Sequence, residues 1–274
     1  MSLRTSVFAL CLLSIGGMAQ AGAIFRIEAE DLSAGGKVEI TEIKVDGHRM
    51  RTDTHGEDPT SMIFLGETDE MYVIDHAEKT YILMDKKTIE ALGARMSEAM
   101  QQMEAALAQV PPEQREMMER MMKERMGGMS STPPAEPVVR SLGESDSVNG
   151  VSCAWKEVTR DGVVDFKACV GNPADIAGGN EMQAMALEMK EFVSALMEAM
   201  SSMTNSNMFG SVLAENPAST MEDLGGFPLI SEDFDEGKLS RRSRFQSADE
   251  ISVADEEFVP PSGYKKQDFG GMTR

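Results

Sequence analysis

The sequence has few aromatic residues, few histidines and few cysteines. Its 274 residues include 1 Trp, 3 Tyr, 11 Phe, 3 His and 3 Cys. The histidines, His48, His55 and His76, lie near predicted turns and form no H-x-H or H-E-x-x-H pattern of the kind that binds zinc. We therefore interpret them as surface loop residues, and we expect neither a metal site nor a cofactor.

Motifs for nucleophiles and for phosphate groups are missing as well. The chain contains no G-x-S-x-G elbow, no P-loop and no G-x-G-x-x-G sequence. Acidic residues are so frequent that pairs of carboxylates arise by chance. The cysteines of the mature chain are expected to be oxidised and therefore not nucleophilic. The sequence thus predicts no catalytic residues and a protein that is not an enzyme.

No apolar run is long enough to span a bilayer, and the first 21 residues have the features of a secretory signal. Arg4 supplies a positive charge, residues 7–15 an apolar segment, and Ala19-Gln20-Ala21 a cleavage site. We predict cleavage after Ala21. The mature protein is then expected to be secreted into the periplasm without a membrane span.

Basic residues are scarce relative to acidic residues. The chain has 26 Lys and Arg but 46 Asp and Glu, which gives a net charge of −20. Such a charge repels nucleic-acid phosphates and anionic lipid headgroups. We therefore expect this acidic protein to have no nucleic-acid partner.

Removal of the signal peptide leaves two cysteines, Cys153 and Cys169. They flank the turn sequence Arg160-Asp161-Gly162 at equal distance from its centre, and the residues on both sides read as strands. In a symmetric hairpin the two cysteines are opposite each other, and Trp155 is opposite Lys167. An even pair of cysteines in an oxidising compartment predicts a disulfide between them.

Alternating apolar and polar residues over residues 24–85 predict an antiparallel meander. The alternation changes phase between Ile40 and Ile43, which predicts a β-bulge. Further strands are predicted from Val138 through the cysteine hairpin and again near the C-terminal end.

The residue that the sequence has in excess is methionine, with 24 copies. Many of them recur at helical spacing in three predicted amphipathic helices. The first begins after an N-cap at Asp85, the second begins at Pro111-Pro112, and the third runs from Glu181 to Met203 after an N-cap at Asn180.

Runs of strands interrupted by helices indicate the α+β class. We predict a single domain over residues 22–266, in which Met-rich helices cover a curved antiparallel sheet. The first two helices form a helical insertion over about residues 86–128, a linker follows over about residues 129–137, and residues 267–274 form a flexible tail.

Several short sequence signatures occur together in this chain. They are Met71–Asp75, Lys79–Tyr81, Cys153–Glu157, Arg160–Gly162 and Phe258–Lys266. Together they resemble an uncharacterised family of exported bacterial proteins, a domain of unknown function, and the layout is similar to that of the LolA-like periplasmic lipoprotein carriers. This resemblance implies a LolA-like half-barrel, closed by helices around an apolar cavity for acyl chains.

We predict that the sheet and the Met-rich helices hold a hydrophobic ligand, namely an acyl chain, a lipidated peptide or a lipoprotein. Methionine suits such a face because its side chain is flexible and polarizable. The predicted ligand-binding residues are Met96, Met100, Met103, Met185, Met189, Phe192 and Met200.

Other interpretations of the methionines remain open at this point. Apolar residues at helical spacing usually pack into a core, which needs no ligand. Thioether sulfur also suits Cu(I), so a periplasmic Cu(I)-binding protein is one alternative. An envelope protein-interaction module that docks a partner on its Met-faced helices is another.

Overall fold

The computed structural model describes residues 22–33, 35–108, 137–203, 224–235 and 237–268. Within these ranges the chain is mostly β, with twelve strands in one sheet, two α-helices and two short 3₁₀ turns. The predicted signal peptide and the predicted second Met-rich helix lie outside the described residues, as does nearly all of the predicted linker.

The strands and helices have the following bounds. The strands are β1 (Gly22–Asp31), β2 (Lys37–Asp46), β3 (Arg49–His55), β4 (Thr60–Leu65), β5 (Glu70–Asp75), β6 (Thr80–Met84), β7 (Val138–Val148), β8 (Val151–Arg160), β9 (Val163–Gly171), β10 (Phe227–Asp235), β11 (Lys238–Ile251) and β12 (Lys265–Lys266). The helices are α1 (Lys86–Ala108) and α2 (Gly179–Met203), and the 3₁₀ turns are Pro173–Asp175 and Asp255–Phe258.

Most neighbouring strands in the sheet are also neighbours in the sequence. The order is β12-β6-β5-β4-β3-β2-β1-β11-β10-β9-β8-β7, and every pair is antiparallel except β12 with β6. The meander predicted for residues 24–85 is confirmed as β1 to β6. Strand β11 pairs with β1 and thereby joins this meander to the remaining strands, β7 to β10.

One face of the sheet carries the main hydrophobic core, against which α2 packs. Phe25 of β1 and Phe227 of β10 stack with ring centroids 5.7 Å apart, and Phe227 meets Phe245 of β11 at 5.8 Å. Helix α1 contacts α2 and β6. The side chains that α2 buries in this core include Met182, Met185 and Phe192.

The opposite face over β2–β6 is crossed by the C-terminal segment, residues 252–268, which we call the strap. Phe258 of the strap is 2% exposed and packs with Ile63 and Ile74 of the sheet. Lys265 N donates a hydrogen bond to Lys79 O (3.0 Å), next to the parallel pairing of β12 with β6. The meander is therefore packed on both faces.

The predicted α+β class, with a LolA-like half-barrel covered by Met-rich helices, is wrong. Strands predominate, and the described residues contain two helices against twelve strands in a single sheet. Helical periodicity reveals an apolar face on each helix, but it does not determine how many strands that face covers. The sheet is much wider than the area over which two helices can pack.

The disulfide between Cys153 and Cys169 is confirmed, and the Cα atoms of the two residues lie 5.2 Å apart. The predicted symmetric register is wrong, however. Cys153 is opposite Gly171, and Trp155 is opposite Cys169 rather than Lys167. The two-residue turn Asp161-Gly162 and a register shift between Val158 and Thr159 displace the strands by two residues relative to the symmetric pairing. The disulfide therefore runs diagonally between β8 and β9.

Charge favours this register. The observed pairing places Glu157 of β8 opposite Lys167 of β9, whereas the symmetric pairing would place it opposite Asp165. Glu157 is only 6% exposed, and a buried carboxylate needs a cationic partner. Its Oε2 lies 3.6 Å from Lys167 Nζ, and its Oε1 lies 2.7 Å from a guanidinium nitrogen of Arg140 in β7.

The same row continues across the next two strands. Lys167 is opposite Glu232 of β10, which is opposite Arg242 of β11, with 2.8 Å between the charged groups of the last pair. Five residues of alternating sign thus span five strands. We call them the charge ladder: Arg140, Glu157, Lys167, Glu232 and Arg242.

Two local predictions near the helices and the meander need correction. Asp85 does cap α1, since its Oδ1 accepts a hydrogen bond from Thr88 N (2.7 Å). Asn180 is not an N-cap, because α2 already begins at Gly179. The bulge predicted in β2 is also misplaced: the register of β2 with both neighbours is continuous, and the shift occurs in β1 against β11.

Removal of the disulfide should destabilise the protein without changing its secondary structure. The bond closes a loop with a sequence separation of 16 residues, which corresponds to about 3 kcal/mol of unfolding free energy in the chain-entropy account. We expect the double variant Cys153→Ala/Cys169→Ala to lose about this amount in urea titrations. Reductant should lower the stability of the wild type similarly and leave the variant unchanged; a reductant effect on the variant would contradict this explanation.

Candidate functional site

Two glycines at the start of α2 allow close contacts, one with strand β1 and one with the 3₁₀ turn Pro173–Asp175. Gly178 has φ +67°, and a Cβ at this position would overlap the Cβ of Ala23 in β1. A Cβ on Gly179 would overlap the carbonyl oxygen of Pro173. Met182 N donates a hydrogen bond to Gly178 O (3.0 Å). Because only glycine permits such close approach, the N-terminal end of α2 has a defined attachment.

Beyond this anchor, three of the predicted ligand-binding residues lie against the sheet. Met185 is 1% exposed and Phe192 is 7% exposed. The Phe192 ring lies 5.4 Å from that of Phe64 in β4, and Met189 packs half-buried at the margin of the same core. The structure therefore brings these three residues together on one helix face, where they pack directly against strands.

The other predicted ligand-binding residues also belong to the two helices. Met96, Met100 and Met103 lie in α1, and Met200 lies near the end of α2. The side chains of these four residues lie outside the described part of the structure. Their contribution to a ligand site stays a prediction.

On its outer side, α2 meets two turns of the sheet. Glu188 Oε1 lies 2.7 Å from Nδ1 of His48, in the turn between β2 and β3. The same carboxylate lies over Gly66, after β4, where a Cβ would overlap it. Gly66 N donates a hydrogen bond to His48 O (2.8 Å), so the helix and both turns meet at one point. His48 is exposed, as predicted from its loop position.

A second polar cluster lies on the opposite face, beneath the strap. Ser61 of β4 is opposite Asp53 of β3 and donates a hydrogen bond to its Oδ1. Arg51 Nε lies 2.8 and 2.9 Å from the two oxygens of Asp53, and His76 Nε2 lies 2.6 Å from Ser61 Oγ. Nδ1 of His76 lies 2.9 Å from the hydroxyl of Tyr264 in the strap. The cluster therefore connects the sheet to the strap.

Asp53 is the charged centre of this cluster. Burial by itself raises the pKa of the Asp53 carboxyl, but hydrogen bonds from Arg51 and Ser61, together with the charges of Arg51 and Lys44, outweigh burial and hold the pKa below its usual value. Arg51 also donates to the backbone carbonyl of Glu257 (2.9 Å), and Lys44 contacts the Glu257 carboxylate at 2.8 Å. The anionic form of Asp53 thus helps to orient the cations that bind the strap.

The predicted surface position of His76 is wrong, since its ring is half-buried between Ser61 and Tyr264. A serine hydroxyl beside a histidine is also the arrangement of some nucleophilic sites. Here Ser61 is 3% exposed and its hydroxyl is bonded to Asp53, while the second nitrogen of His76 meets a tyrosine rather than a carboxylate. This geometry favours a structural role in attaching the strap.

This cluster could not be predicted from the sequence, because its members come from distant segments. His76 and Tyr264 are separated by 188 residues. One signal was present: Lys44, Arg51 and Asp53 are charged residues on strands that also carry buried apolar side chains. Such charges on neighbouring strands indicate that polar side chains pair with one another on the sheet. They do not indicate that the C-terminal segment packs over them.

Over the described residues, no three His, Cys, Asp or Glu side chains lie close enough together to hold a metal ion. The third histidine, His55, is exposed and lies 3.6 Å from Glu42. No described helix is both long enough and apolar enough to cross a membrane.

No protein-family model and no curated protein matches the chain. Similar solved structures include PNGF-II in space group C2, with a TM-score of 0.38, 7% identity, and coverage of 91% of this chain and 31% of that one. They also include the MucA/MucB complex of Pseudomonas aeruginosa, with a TM-score of 0.37, 12% identity, and coverage of 89% of this chain and 56% of that one. The chain spans about a third of the first and just over half of the second. These similarities are too low to assign a family.

Neutralising Asp53 should destabilise the protein in a pH-dependent way. The pKa of Asp53 is lowered on folding, so its stabilising effect is present above the ordinary aspartate pKa of 3.8 and is lost as the pH falls through the lower folded value. We expect Asp53→Asn to lose about 2 kcal/mol of unfolding free energy at pH 7. The difference from the wild type should shrink below about pH 4.

Urea titrations over a pH series would measure this difference, with the exposed Asp58→Asn as the matched control. The control should remain close to the wild type throughout. A loss for Asp53→Asn that is equal at pH 7 and pH 3 would contradict the assigned role of the carboxylate.

Proposed function

We propose that the chain is an exported, non-catalytic protein that binds an apolar ligand, an acyl chain or a lipidated peptide, against the sheet face beneath α2. One observation carries the proposal. Helix α2 is anchored by glycine contacts at its first turn, and beyond that turn its methionine and phenylalanine side chains pack over an aromatic sheet face. A helix attached at one end can swing away from such a face with a small change at the hinge.

The contacts beneath α2 are of a kind that an acyl chain can replace. Met185, Met189 and Phe192 meet the sheet through apolar atoms, so displacing them leaves no buried polar group without a hydrogen bond. Methionine is also the apolar side chain that adapts most readily to a new neighbour. The composition of this face therefore suits exchange between helix and ligand.

The free energy of burying apolar surface favours a long apolar ligand in such an exchange. Exposing Met185 and Phe192 costs about 1.5–3 kcal/mol for each side chain. An acyl chain that buries about twelve methylenes recovers about 0.8 kcal/mol for each, or roughly 10 kcal/mol in total. Ordering of the ligand offsets part of this gain. No polar recognition motif is needed, which agrees with the lack of such motifs in the sequence.

Export to the periplasm is the second part of the proposal. It rests on the predicted signal peptide, and the disulfide supports it because disulfides persist mainly in oxidising compartments. The strongly negative net charge of −20 also suits a protein that takes up acyl chains without adhering to anionic headgroups.

Locking α2 to the sheet should abolish ligand binding. Cysteines introduced at His48 and Glu188, whose side chains are in contact, can be joined by a short bifunctional maleimide while the native disulfide stays intact. We expect a fluorescent fatty-acyl probe to bind the wild type and the uncrosslinked double variant. Crosslinking should weaken binding at least tenfold, because the helix can no longer leave the sheet.

The single variants His48→Cys and Glu188→Cys, alkylated with the same reagent, are the matched controls and should bind like the wild type. Equal binding before and after crosslinking would contradict the proposal that α2 moves. The proposal of an apolar ligand would be contradicted if no variant bound acyl probes and native mass spectra of protein purified from the periplasm showed no lipid.

Removing two of the thioethers beneath α2 distinguishes acyl binding from Cu(I) binding. The double substitution Met185→Leu/Met189→Leu conserves apolar volume but removes both thioethers. We expect acyl-probe affinity within about threefold of the wild type, because leucine offers the ligand an apolar surface of similar volume. Loss of Cu(I) affinity in a competition titration, with acyl binding absent from both proteins, would instead favour the metal-binding alternative.

A further inference from the structure

The meander face that carries α2 has an apolar row of side chains next to the turns that α2 contacts. The members of this row are successive cross-strand partners from β2 to β6: Val45, Met50, Phe64, Met71 and Met84. All of them belong to the main core or pack against it, and the ring of Phe192 in α2 lies 5.4 Å from that of Phe64. The proposed function places the acyl chain against this apolar row.

A second row crosses the same strands nearer their opposite end. Its members are also successive cross-strand partners, each four residues from the apolar row on its own strand: Thr41, Thr54, Thr60, Asp75 and Thr80. Residues four apart on a strand point to the same face, so both rows lie on the face that carries α2. From the usual rise along a strand and the usual spacing between strands, this second row lies about 14 Å from the first and extends over about 19 Å. We call it the threonine row.

The threonine row lies away from the contacts that α2 makes with the meander. The contacts of α2 with His48, Phe64 and Gly66 are all at the other end of the strands. Thr60 is exposed, and the other members of the row are half-buried. The threonine hydroxyls of the row form no hydrogen bond with another described residue. Within the described part of the chain they are therefore free to bond to a ligand.

The chemistry of the threonine row suits a neutral head group with several hydroxyls. Each threonine hydroxyl can both donate and accept hydrogen bonds. Asp75 adds a carboxylate, whose Oδ1 accepts a hydrogen bond from Glu78 N (2.8 Å). Because the row contains a carboxylate and no cation, it repels a phosphate or carboxylate head. A glycerol head is much shorter than the row, whereas linked sugar rings present hydroxyls to several threonines at once.

We propose that the threonine row binds the sugar head of a glycolipid whose acyl chain lies against the apolar row beneath α2. This inference rests on the proposed function and names the class of its ligand. Ile43 and Met62 lie between the two rows and pack against the main core, so the chain crosses apolar side chains on its way from α2 to the head. Burial of methylenes then holds the chain, and hydrogen bonds select the head.

Two probes with the same dodecyl chain test this inference by isothermal titration calorimetry below their micelle concentrations. Dodecyl maltoside has a disaccharide head, and octaethylene glycol dodecyl ether has a neutral polyether head with a single hydroxyl. We expect the wild type to bind the maltoside about tenfold more tightly than the polyether. The variant Thr41→Val/Thr54→Val/Thr60→Val should lose this preference, because it lacks three hydroxyls but keeps β-branched side chains that suit strands. Its affinity for the polyether should stay within about threefold of the wild type, which also shows that it is folded.

The matched control is Thr159→Val, which removes a hydroxyl from β8, outside the threonine row, and should leave both affinities unchanged. Thr54→Val alone should lose about threefold in maltoside affinity and gives the same test if the triple variant does not fold. Equal binding of both probes by the wild type overturns the sugar site, as does a preference that the valine variants retain. In either case, binding of the polyether leaves the proposed function standing. Binding of neither probe overturns the proposed function, and the glycolipid with it.

Discussion

Antiparallel backbone hydrogen bonding across one wide sheet determines where the described helices and the strap lie. Because side chains alternate between faces, the register of each pair decides which residues meet. The pairing of β8 with β9 brings the disulfide together, and that of β3 with β4 places Ser61 beside Asp53. Helix α2 and the strap then occupy opposite faces of the same meander. A change in register would disturb both at once.

In the proposed function, this two-sided packing separates a movable cover, α2, from a stable support, the sheet with its strap. On the strap side, the sheet is bound by ion pairs and by the buried ring of Phe258, over which the Arg49 guanidinium lies 4.5 Å from the ring centroid. On the other side, α2 is held by glycine contacts at one end, by apolar side chains along its length, by α1, and by the exposed pair of Glu188 with His48. The strap can keep β2–β6 ordered while α2 departs. A binding protein of the proposed kind needs this division, since a sheet that loosened with its cover would lose the shape of the site.

Local patterns in the sequence were sufficient for the meander, the Asp161-Gly162 turn, the α1 cap at Asp85 and the disulfide. Each of these depends on residues close together in the chain or on a simple period. The width of the sheet was not predictable in this way, because the pairing of β11 with β1 joins segments more than 200 residues apart and leaves no local signal. The cluster of Asp53, His76 and Tyr264 was missed for the same reason. Of the predicted ligand-binding residues, Met185, Met189 and Phe192 were found together because one helix carries all three.

The charge ladder opposes errors of strand register that the burial of apolar side chains does not prevent. A slip of two residues between β8 and β9 keeps each side chain on its original face, so burial of apolar surface opposes it little. The same slip moves Glu157 from Lys167 to Asp165, and two carboxylates then share a buried position. The charge ladder thereby favours one alignment of these strands over its two-residue neighbours. Reversing the charge at one of these positions would place like charges opposite each other, so the five positions are expected to change together with Glu30 of β1, which is opposite Arg242.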